Sequence, residues 1–81
     1  MQSGIWEVDL HGKNEYQARV TVDATLRRAK SGTYRIRCIH GHHGGTALRD
    51  LIRREYGKNP RVLRLETGVG PGVTDLVLRE F

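Results

Sequence analysis

Two short motifs contain most of the side chains of this 81-residue chain that could take part in catalysis. In the first, Val8-Asp9-Leu10-His11-Gly12, Asp9 and His11 lie two residues apart in a predicted strand and therefore on the same face. A carboxylate beside an imidazole orients the ring, an arrangement suited to general acid–base catalysis. The pair ends the first strand, where open parallel sheets bind ligands, which favours catalysis over the alternative of a surface ion pair.

The second motif, residues 38–49, runs from an apolar strand through a histidine- and glycine-rich turn into a helix. Glycines allow backbone N–H groups to approach a ligand, and a helix N-terminus favours an anion. We therefore predict phosphate binding by His40 and by Gly41, Gly44, Gly45 and Thr46. Arg49 is the candidate side-chain contact, because a guanidinium group can bind two phosphate oxygens. The alternative is that the glycines only form a tight turn.

The histidines of the second motif also raise the question of a metal site. Adjacent histidines such as His42 and His43 lack the spacing of a structural zinc site, and Cys38 is the only cysteine. Mg²⁺ or Mn²⁺ held between Asp9 and a substrate phosphate is the better alternative, although one carboxylate provides few ligands. The sequence therefore indicates no certain cofactor, with Asp9 as the metal ligand if one is used.

The composition predicts one small soluble domain with a polyanionic partner. The chain has 14 basic and 9 acidic residues, a formal net charge of +5 and a pI near 10.0. Such a surplus favours nucleic acid over a membrane as the partner, with simple solubility as the alternative. The lone Cys38 cannot form an internal disulfide, which favours the cytoplasm. No segment has the length of a membrane span or the pattern of a secretion signal.

Hydrophobic periodicity and turn residues predict the element order strand, helix, strand, helix, strand, strand. The strands are predicted at Ile5–Leu10, Thr33–Ile39, Arg61–Thr67 and Val73–Arg79. Asn14 is a candidate cap of the first helix, which is expected to end at Ser31-Gly32, and Thr46 is a candidate cap of the second. The strand–helix–strand steps predict parallel pairs, and the short last loop predicts an antiparallel pair.

Two helices can cover only one face of a four-stranded sheet, so the other face is predicted to be charged. The side chains expected on that face are Glu7, Asp9, Arg35, Arg37 and Arg64. Trp6 and Cys38 are expected in the core. Opposite charges four residues apart predict pairs along the helices, namely Glu15 with Arg19, Asp23 with Arg27 and Asp50 with Arg54.

The two motifs together resemble those of the small MutS-related (Smr) domain. Val8-Asp9-Leu10-His11-Gly12 resembles its Leu-Asp-Leu-His-Gly motif, and residues 39–49 resemble its His-Gly-x-Gly motif followed by Leu-Arg. Gly68–Gly72 with Val73-Thr74 is similar to the glycine-rich start of the family's last strand. The resemblance runs from Val8 to Leu78, and we expect residues 1–81 to form a single Smr-like domain.

The resemblance implies an α+β two-layer sandwich, with two helices on one face of a four-stranded mixed sheet, similar to the C-terminal domain of translation initiation factor three. It also implies nucleic-acid binding and, in many members, endonuclease activity on DNA or RNA. The family's roles carry onto Asp9 and His11 of the first motif and onto His40 and Gly41 of the second. The chain departs from the family pattern at His42-His43, where the compact Gly-x-Gly is expanded.

The sequence therefore predicts a nucleic-acid-binding Smr-like domain with metal-assisted phosphodiester hydrolysis. Asp9, His11 and His40 are the expected catalytic residues, and the partner is DNA or RNA, branched or structured. Two alternatives are a non-catalytic binding module and a protein–protein interaction domain whose charged face docks an acidic partner. The two differ in whether the domain binds nucleic acid in a salt-sensitive manner.

Overall fold

The helices and strands follow the predicted order, in a computed structural model that describes residues 4–42, 45–68 and 70–80. The elements are β1 (Ile5–Asp9), α1 (Glu15–Arg28), β2 (Arg35–Ile39), α2 (Ala47–Tyr56), β3 (Arg64–Glu66) and β4 (Val73–Val77). His43 and Gly44 of the second motif lie outside the described residues.

Helix α1 begins at a capping box, which confirms Asn14 as its cap. The Asn14 side chain accepts from the Gln17 N–H at 2.8 Å, and the Gln17 side chain accepts from the Asn14 N–H at 3.0 Å. The helix ends at Arg28, earlier than predicted, because Ala29 adopts an extended backbone while its N–H caps the last turn. Ala18 and Val22 form part of its buried face.

Helix α2 begins at Thr46 without the predicted side-chain cap. The Thr46 backbone is not extended, and its hydroxyl instead donates to the Asp50 carboxylate at 3.0 Å. Leu51, Ile52 and Tyr56 are buried on the inner side of the helix. The first N–H groups of α2 therefore lack the usual side-chain acceptor.

The four strands form one mixed sheet in the order β1-β2-β4-β3. β1 and β2 are parallel, as predicted, and β4 is antiparallel to both β2 and β3. The second predicted parallel pair does not form between neighbours, because β4 lies between β2 and β3. β3 is also shorter than predicted, since the Val62 N–H bonds the Asn59 carbonyl at 2.9 Å in a turn that precedes the strand.

The hydrophobic core lies between one face of the sheet and both helices. Val8, Ile36, Cys38 and Leu76 contribute the sheet side of this core. Burial raises the pKa of the Cys38 thiol to about 12, so the thiol stays protonated. Trp6 is not part of the core: it is half-buried, because β1 is an edge strand and leaves the outer side of this residue without a neighbouring strand.

The opposite face of the sheet, the open face, is charged as predicted but contains a buried carboxylate that the sequence analysis did not identify. Asp75 of β4 lies opposite Arg37 of β2 and is fully buried. Its carboxylate accepts from Arg35 at 2.8 Å and from two nitrogens of Arg37 at 3.0 Å each. Burial alone raises the pKa of Asp75, but the hydrogen bonds and charges of Arg37 and Arg35 outweigh it and lower the pKa.

The remaining arginine of the open face, Arg64, and the carboxylates Glu66 and Glu80 are also paired. Glu66 accepts from Arg35 at 2.8 Å and from Arg64 at 2.9 Å, and Arg64 also contacts Glu80. The three arginines of this face are therefore matched by three carboxylates, counting Asp75. Because Glu7 and Asp9 also lie on this face, it carries no positive surplus, and the net charge of +5 comes from the rest of the molecule.

Neither α1 nor α2 is long and apolar enough to cross a membrane, and these are the helices that the described residues form.

Replacing Asp75 with asparagine is expected to destabilise the fold, because Arg35 and Arg37 then lose the charge that balances them. Both guanidinium groups retain some contact with solvent, so we expect a loss of about 2 kcal/mol in the free energy of unfolding, below the range for a fully buried pair. Urea denaturation, followed by circular dichroism, measures this loss in the free energy of unfolding. Asp9→Asn is the matched control on an exposed carboxylate of the same face, and an equal loss there would contradict the assignment.

The stabilisation by Asp75 is expected to disappear in acid. Its pKa is lower in the folded protein than its ordinary value of 3.8, so the unfolded chain binds the proton more readily. The stabilisation is therefore complete above the ordinary value and is lost as the pH falls through the folded value. The difference in stability between wild type and Asp75→Asn should be constant above about pH 5 and shrink below about pH 4. A constant difference down to pH 3 (roughly) would contradict this explanation.

Candidate active site

Parallel pairing of β1 with β2 places the two histidine–glycine turns side by side. The Leu10 N–H donates to the Ile39 carbonyl at 2.8 Å, so that His11 and His40 leave the same edge of the sheet, as predicted. Gly12 and Gly41 both have a positive φ, of 79° and 77°, which other residues adopt with strain. Each strand therefore turns sharply directly after its histidine.

Asp9 and His11 form a hydrogen-bonded pair at the surface. His11 Nδ1 lies 2.5 Å from Asp9 Oδ1, and the His11 backbone N–H donates to the same oxygen at 3.1 Å. These hydrogen bonds lower the pKa of Asp9, so the carboxylate stays ionised at neutral pH. An ionised carboxylate can only accept, which places the proton on Nδ1, and no described residue bonds Nε2 of His11. The His11 side chain is 71% exposed.

His40 occupies a different environment from His11. Its side chain is buried, and both ring nitrogens are hydrogen-bonded within the protein. Nδ1 lies 2.8 Å from the Gly41 carbonyl oxygen, and Nε2 lies 2.9 Å from the Thr74 hydroxyl. Because a carbonyl only accepts, Nδ1 carries the proton and the Thr74 hydroxyl donates to Nε2. The ring therefore links the turn after β2 to the start of β4.

The glycine-rich loop before β4 supports the turn from the other side. The N–H groups of His40 and Gly41 both donate to the Gly72 carbonyl, at 2.9 and 3.0 Å. A Cβ atom at Gly72 would lie 3.2 Å from the Gly41 Cα, a tight contact, so this close approach favours glycine. Gly72 and Thr74 were not among the predicted site residues, although the Gly-Val-Thr sequence that contains them was part of the resemblance.

A cleft of about 750 Å³, the turn cleft, lies between the two turns. The residues that line it include His11, Lys13, Glu15, Gly41 and Gly45, together with the first residues of α2, Ala47 and Leu48. Among the described residues, no acceptor bonds the N–H of Ala47 or Leu48. N–H groups without an acceptor among the described residues, at a helix N-terminus that borders a cleft, are suited to binding a phosphate group.

Of the other predicted phosphate ligands, Gly45 is the one that lines the turn cleft among the described residues. Gly45 has a φ of 102° and lines the turn cleft, whereas Gly44 lies outside the described residues. Thr46 is exposed, and its hydroxyl is bonded to Asp50. Arg49 is also held by Asp50, with Nε 3.2 Å from Oδ1, and is not among the residues that line the cleft. The backbone of the turn, rather than Arg49, is thus the part best placed to bind an anion.

The site offers few ligands for a metal ion. No group of three or more histidine, cysteine, aspartate or glutamate side chains converges within residues 4–42, 45–68 and 70–80. Asp9 contributes a single carboxylate, and its Oδ1 is already bonded to His11. Mg²⁺ prefers an octahedral shell of oxygen ligands, most of which would have to come from water and substrate. The described residues therefore do not form a metal site of their own.

The sheet, the helices and the paired turns define a small two-layer α+β domain, and comparisons identify its family. The Smr domain model matches residues 8–78. The crystal structure of the Smr domain of Thermus thermophilus MutS2 matches this chain with a TM-score of 0.79 and 34% sequence identity, covering 93% of this chain and 99% of that one. A search of the curated proteins finds no match.

The chain therefore belongs to the Smr domain family, a family known for nucleic-acid binding and nuclease activity. The resemblance of the two histidine–glycine motifs is confirmed, and so is the expected four-stranded mixed sheet with two helices.

Removing the Thr74 hydroxyl is expected to weaken the turn after β2. Thr74→Val keeps the shape of the side chain but leaves Nε2 of His40 buried without a partner, at a cost of about 1–3 kcal/mol in the free energy of unfolding. Thr21→Val is the control, because the Thr21 hydroxyl bonds only a helix carbonyl near the surface. Thermal denaturation of both variants measures the difference. Equal losses would show that the bond between His40 and Thr74 contributes nothing specific.

Proposed function

We propose that this Smr domain binds nucleic acid and cleaves a phosphodiester bond at the Asp9–His11 pair. One observation carries the proposal: Asp9 fixes the proton of His11 on Nδ1, and Nε2, beside the turn cleft, has no partner among the residues that the structure describes. A free imidazole nitrogen held in one tautomer by a carboxylate is the arrangement of a general base.

In the proposed reaction, His11 Nε2 takes a proton from the attacking water as its oxygen bonds to phosphorus. The bond from phosphorus to the leaving sugar oxygen breaks, and that oxygen is protonated from solvent. Asp9 keeps the ring in place and stabilises the imidazolium that forms. Asp9 acts through His11 and is, in this mechanism, a positioning residue.

The turn cleft would hold the phosphate group. The N–H groups of Ala47 and Leu48, at the positive end of the α2 dipole, can bond the phosphate oxygens and stabilise the charge that develops on them. Because Gly41 and Gly45 have no side chains, the sugar–phosphate backbone can come close to the turn.

His40 supports the turn in this proposal rather than transferring a proton. Both of its nitrogens are engaged inside the protein, whereas a general base needs one within reach of the substrate. Its expected catalytic role therefore becomes one of positioning Gly41, in the wall of the turn cleft.

Metal assistance stays a separate question within the proposal. A Mg²⁺ or Mn²⁺ ion would supply Lewis-acid stabilisation of the phosphate, and Asp9 Oδ2 is the protein oxygen that could bind it. The steps above use only the side chains and backbone groups of this chain, because its described residues form no metal site.

The charge distribution also favours a nucleic-acid partner over an acidic protein on the open face. The arginines of that face already bind Glu66, Asp75 and Glu80. The surplus of positive charge lies elsewhere and can neutralise phosphates.

The lone, buried Cys38 supports the further proposal that the domain works in the cytoplasm.

Replacing His11 with alanine is expected to slow cleavage about 100-fold or more, because the general base is lost. Labelled branched DNA and structured RNA are incubated with each protein in EDTA, Mg²⁺ or Mn²⁺, and the products are separated on denaturing gels. Asp9→Asn should also slow cleavage, since asparagine no longer fixes the tautomer of His11. Binding of the same substrates, measured by fluorescence anisotropy, should change little in either variant.

Glu55→Gln is the control for the loss of one exposed carboxylate away from the cleft, and it should cleave like wild type. Cleavage that persists in His11→Ala would overturn the catalytic assignment. Salt-sensitive binding without products in wild type, in all three metal conditions, would instead identify a non-catalytic binding module.

A further inference from the structure

A second groove, the edge groove, runs along the outer side of β1 and has a volume of about 740 Å³. The strand forms one wall, and Thr21, Thr25 and Arg28 of α1 form part of the other. Because β1 is the edge strand of the sheet, the described residues place no strand on this side of it. The groove is therefore open to a ligand along the whole length of β1.

The edge groove meets the turn cleft at the proposed catalytic pair. Asp9 lines the edge groove, and its partner His11 lines the turn cleft. Lys13 lines both. A polymer that lies in the turn cleft with one phosphate near His11 can therefore continue past Asp9 and along β1.

The edge groove has an unpaired cation at each end. Lys13 follows the carboxyl end of β1, and Arg28 is the last residue of α1, which runs back towards the start of β1. Neither side chain forms an ion pair or side-chain hydrogen bond with the described residues. The charge of Lys13 acts on Asp9 but forms no close ion pair with it, so both side chains can turn to a phosphate, unlike the arginines of the open face.

An aromatic side chain lies between these two cations. Trp6, the only tryptophan of the chain, is half-buried and lines the edge groove, and the core does not use it. A groove with cations for the phosphates and an aromatic ring in its wall is suited to single-stranded nucleic acid without strict sequence preference, because every base can stack on the ring.

The acidic residues of the edge groove lie on its other side. Glu7 is opposite Arg37 in the sheet, and its charge acts on that guanidinium group, so it belongs to the open face. Asp9 is bonded to His11. A bound strand would therefore follow the α1 wall, where Thr21, Thr25 and Arg28 contribute no negative charge.

We propose that the edge groove binds a single-stranded segment of the substrate, with one base stacked on Trp6 and the flanking phosphates bound by Lys13 and Arg28. This inference rests on the proposed function, since it extends the substrate from the catalytic pair along β1. It implies that the domain cuts beside an unpaired stretch of DNA or RNA rather than within a continuous duplex.

Trp6 provides its own signal for the test. Single-stranded RNA and DNA oligonucleotides of one sequence, and the corresponding duplex, are titrated into wild-type protein at low salt. A base stacked on the indole ring is expected to quench the fluorescence of Trp6 in parallel with binding measured by anisotropy of a labelled oligonucleotide. Quenching by both single strands shows recognition of the shared phosphates and bases, and quenching by one alone identifies the sugar that is preferred.

Two double variants, each of which removes two positive charges, show where the oligonucleotide binds. Lys13→Gln/Arg28→Gln should weaken single-strand binding about tenfold or more and reduce the slope of log K against log salt by roughly 1.4, the value for two phosphate contacts. Lys58→Gln/Arg61→Gln removes the same charge from exposed residues that do not line either groove, and should bind nearly as wild type.

Replacing Trp6 separates stacking from packing. Trp6→Phe keeps an aromatic face and should retain most of the affinity, whereas Trp6→Leu keeps apolar bulk and should bind at least about fivefold more weakly. Circular dichroism of both variants checks that the fold is intact. The two double variants of lysine and arginine test the groove without changing Trp6.

The outcomes distinguish this proposal from the one on which it rests. Binding and His11-dependent cleavage with unchanged Trp6 emission, or with equal effects of the two double variants, would overturn the edge groove and leave the catalytic assignment standing. Equal quenching by the duplex would overturn the preference for a single strand. Absence of any binding would overturn both proposals.

Discussion

Parallel pairing of β1 with β2 is the constraint on which the candidate site depends. The two strands end at the same edge of the sheet, so His11 and His40 leave it side by side although they are far apart in the chain. A left-handed glycine follows each histidine and turns the chain away at once. The cleft between the turns, and the exposure of the N-terminus of α2 to it, follow from this arrangement.

Strand β4, with the glycine that precedes it, supports that edge. It lies between β2 and β3, and three residues in or directly before it have separate roles. Gly72 accepts hydrogen bonds from the turn after β2, Thr74 holds the buried ring of His40, and Asp75 balances the arginines of the open face. The strand thus links the support of the site to the stability of the sheet, because a shift of its register would disturb both.

The same pairing decides where the basic charge of the chain is available. On the open face, arginines are matched by carboxylates, and the surplus lies on the helices and, above all, on the connecting segments, with Lys13, Lys30, Lys58, Arg61 and Arg79. Trp6 lies on the edge of β1 between Lys13 and Arg28, beside the pair formed by Asp9 and His11. A sheet with an uncovered face therefore keeps its proposed contacts for nucleic acid at one end and one edge rather than across the face.

The sequence by itself determined the order of the elements, the Asn14 cap, the two motifs and the burial of Cys38, because periodicity, caps and glycine turns act over a few residues. The tertiary structure decided which charged and polar side chains pair with one another. The predicted pairs along the helices do not form among the described residues: Glu15 lies 3.9 Å from Arg54, Arg19 lies 3.9 Å from Glu55, and the Asp23 carboxylate accepts from the Tyr56 hydroxyl. The insertion of β4 likewise buried Asp75 and engaged Nε2 of His40 through the Thr74 hydroxyl. Such contacts join residues that are distant in the chain, so local spacing does not specify them. Each charged or polar side chain has many possible partners, and the packing of the helices and the order of the strands select among them.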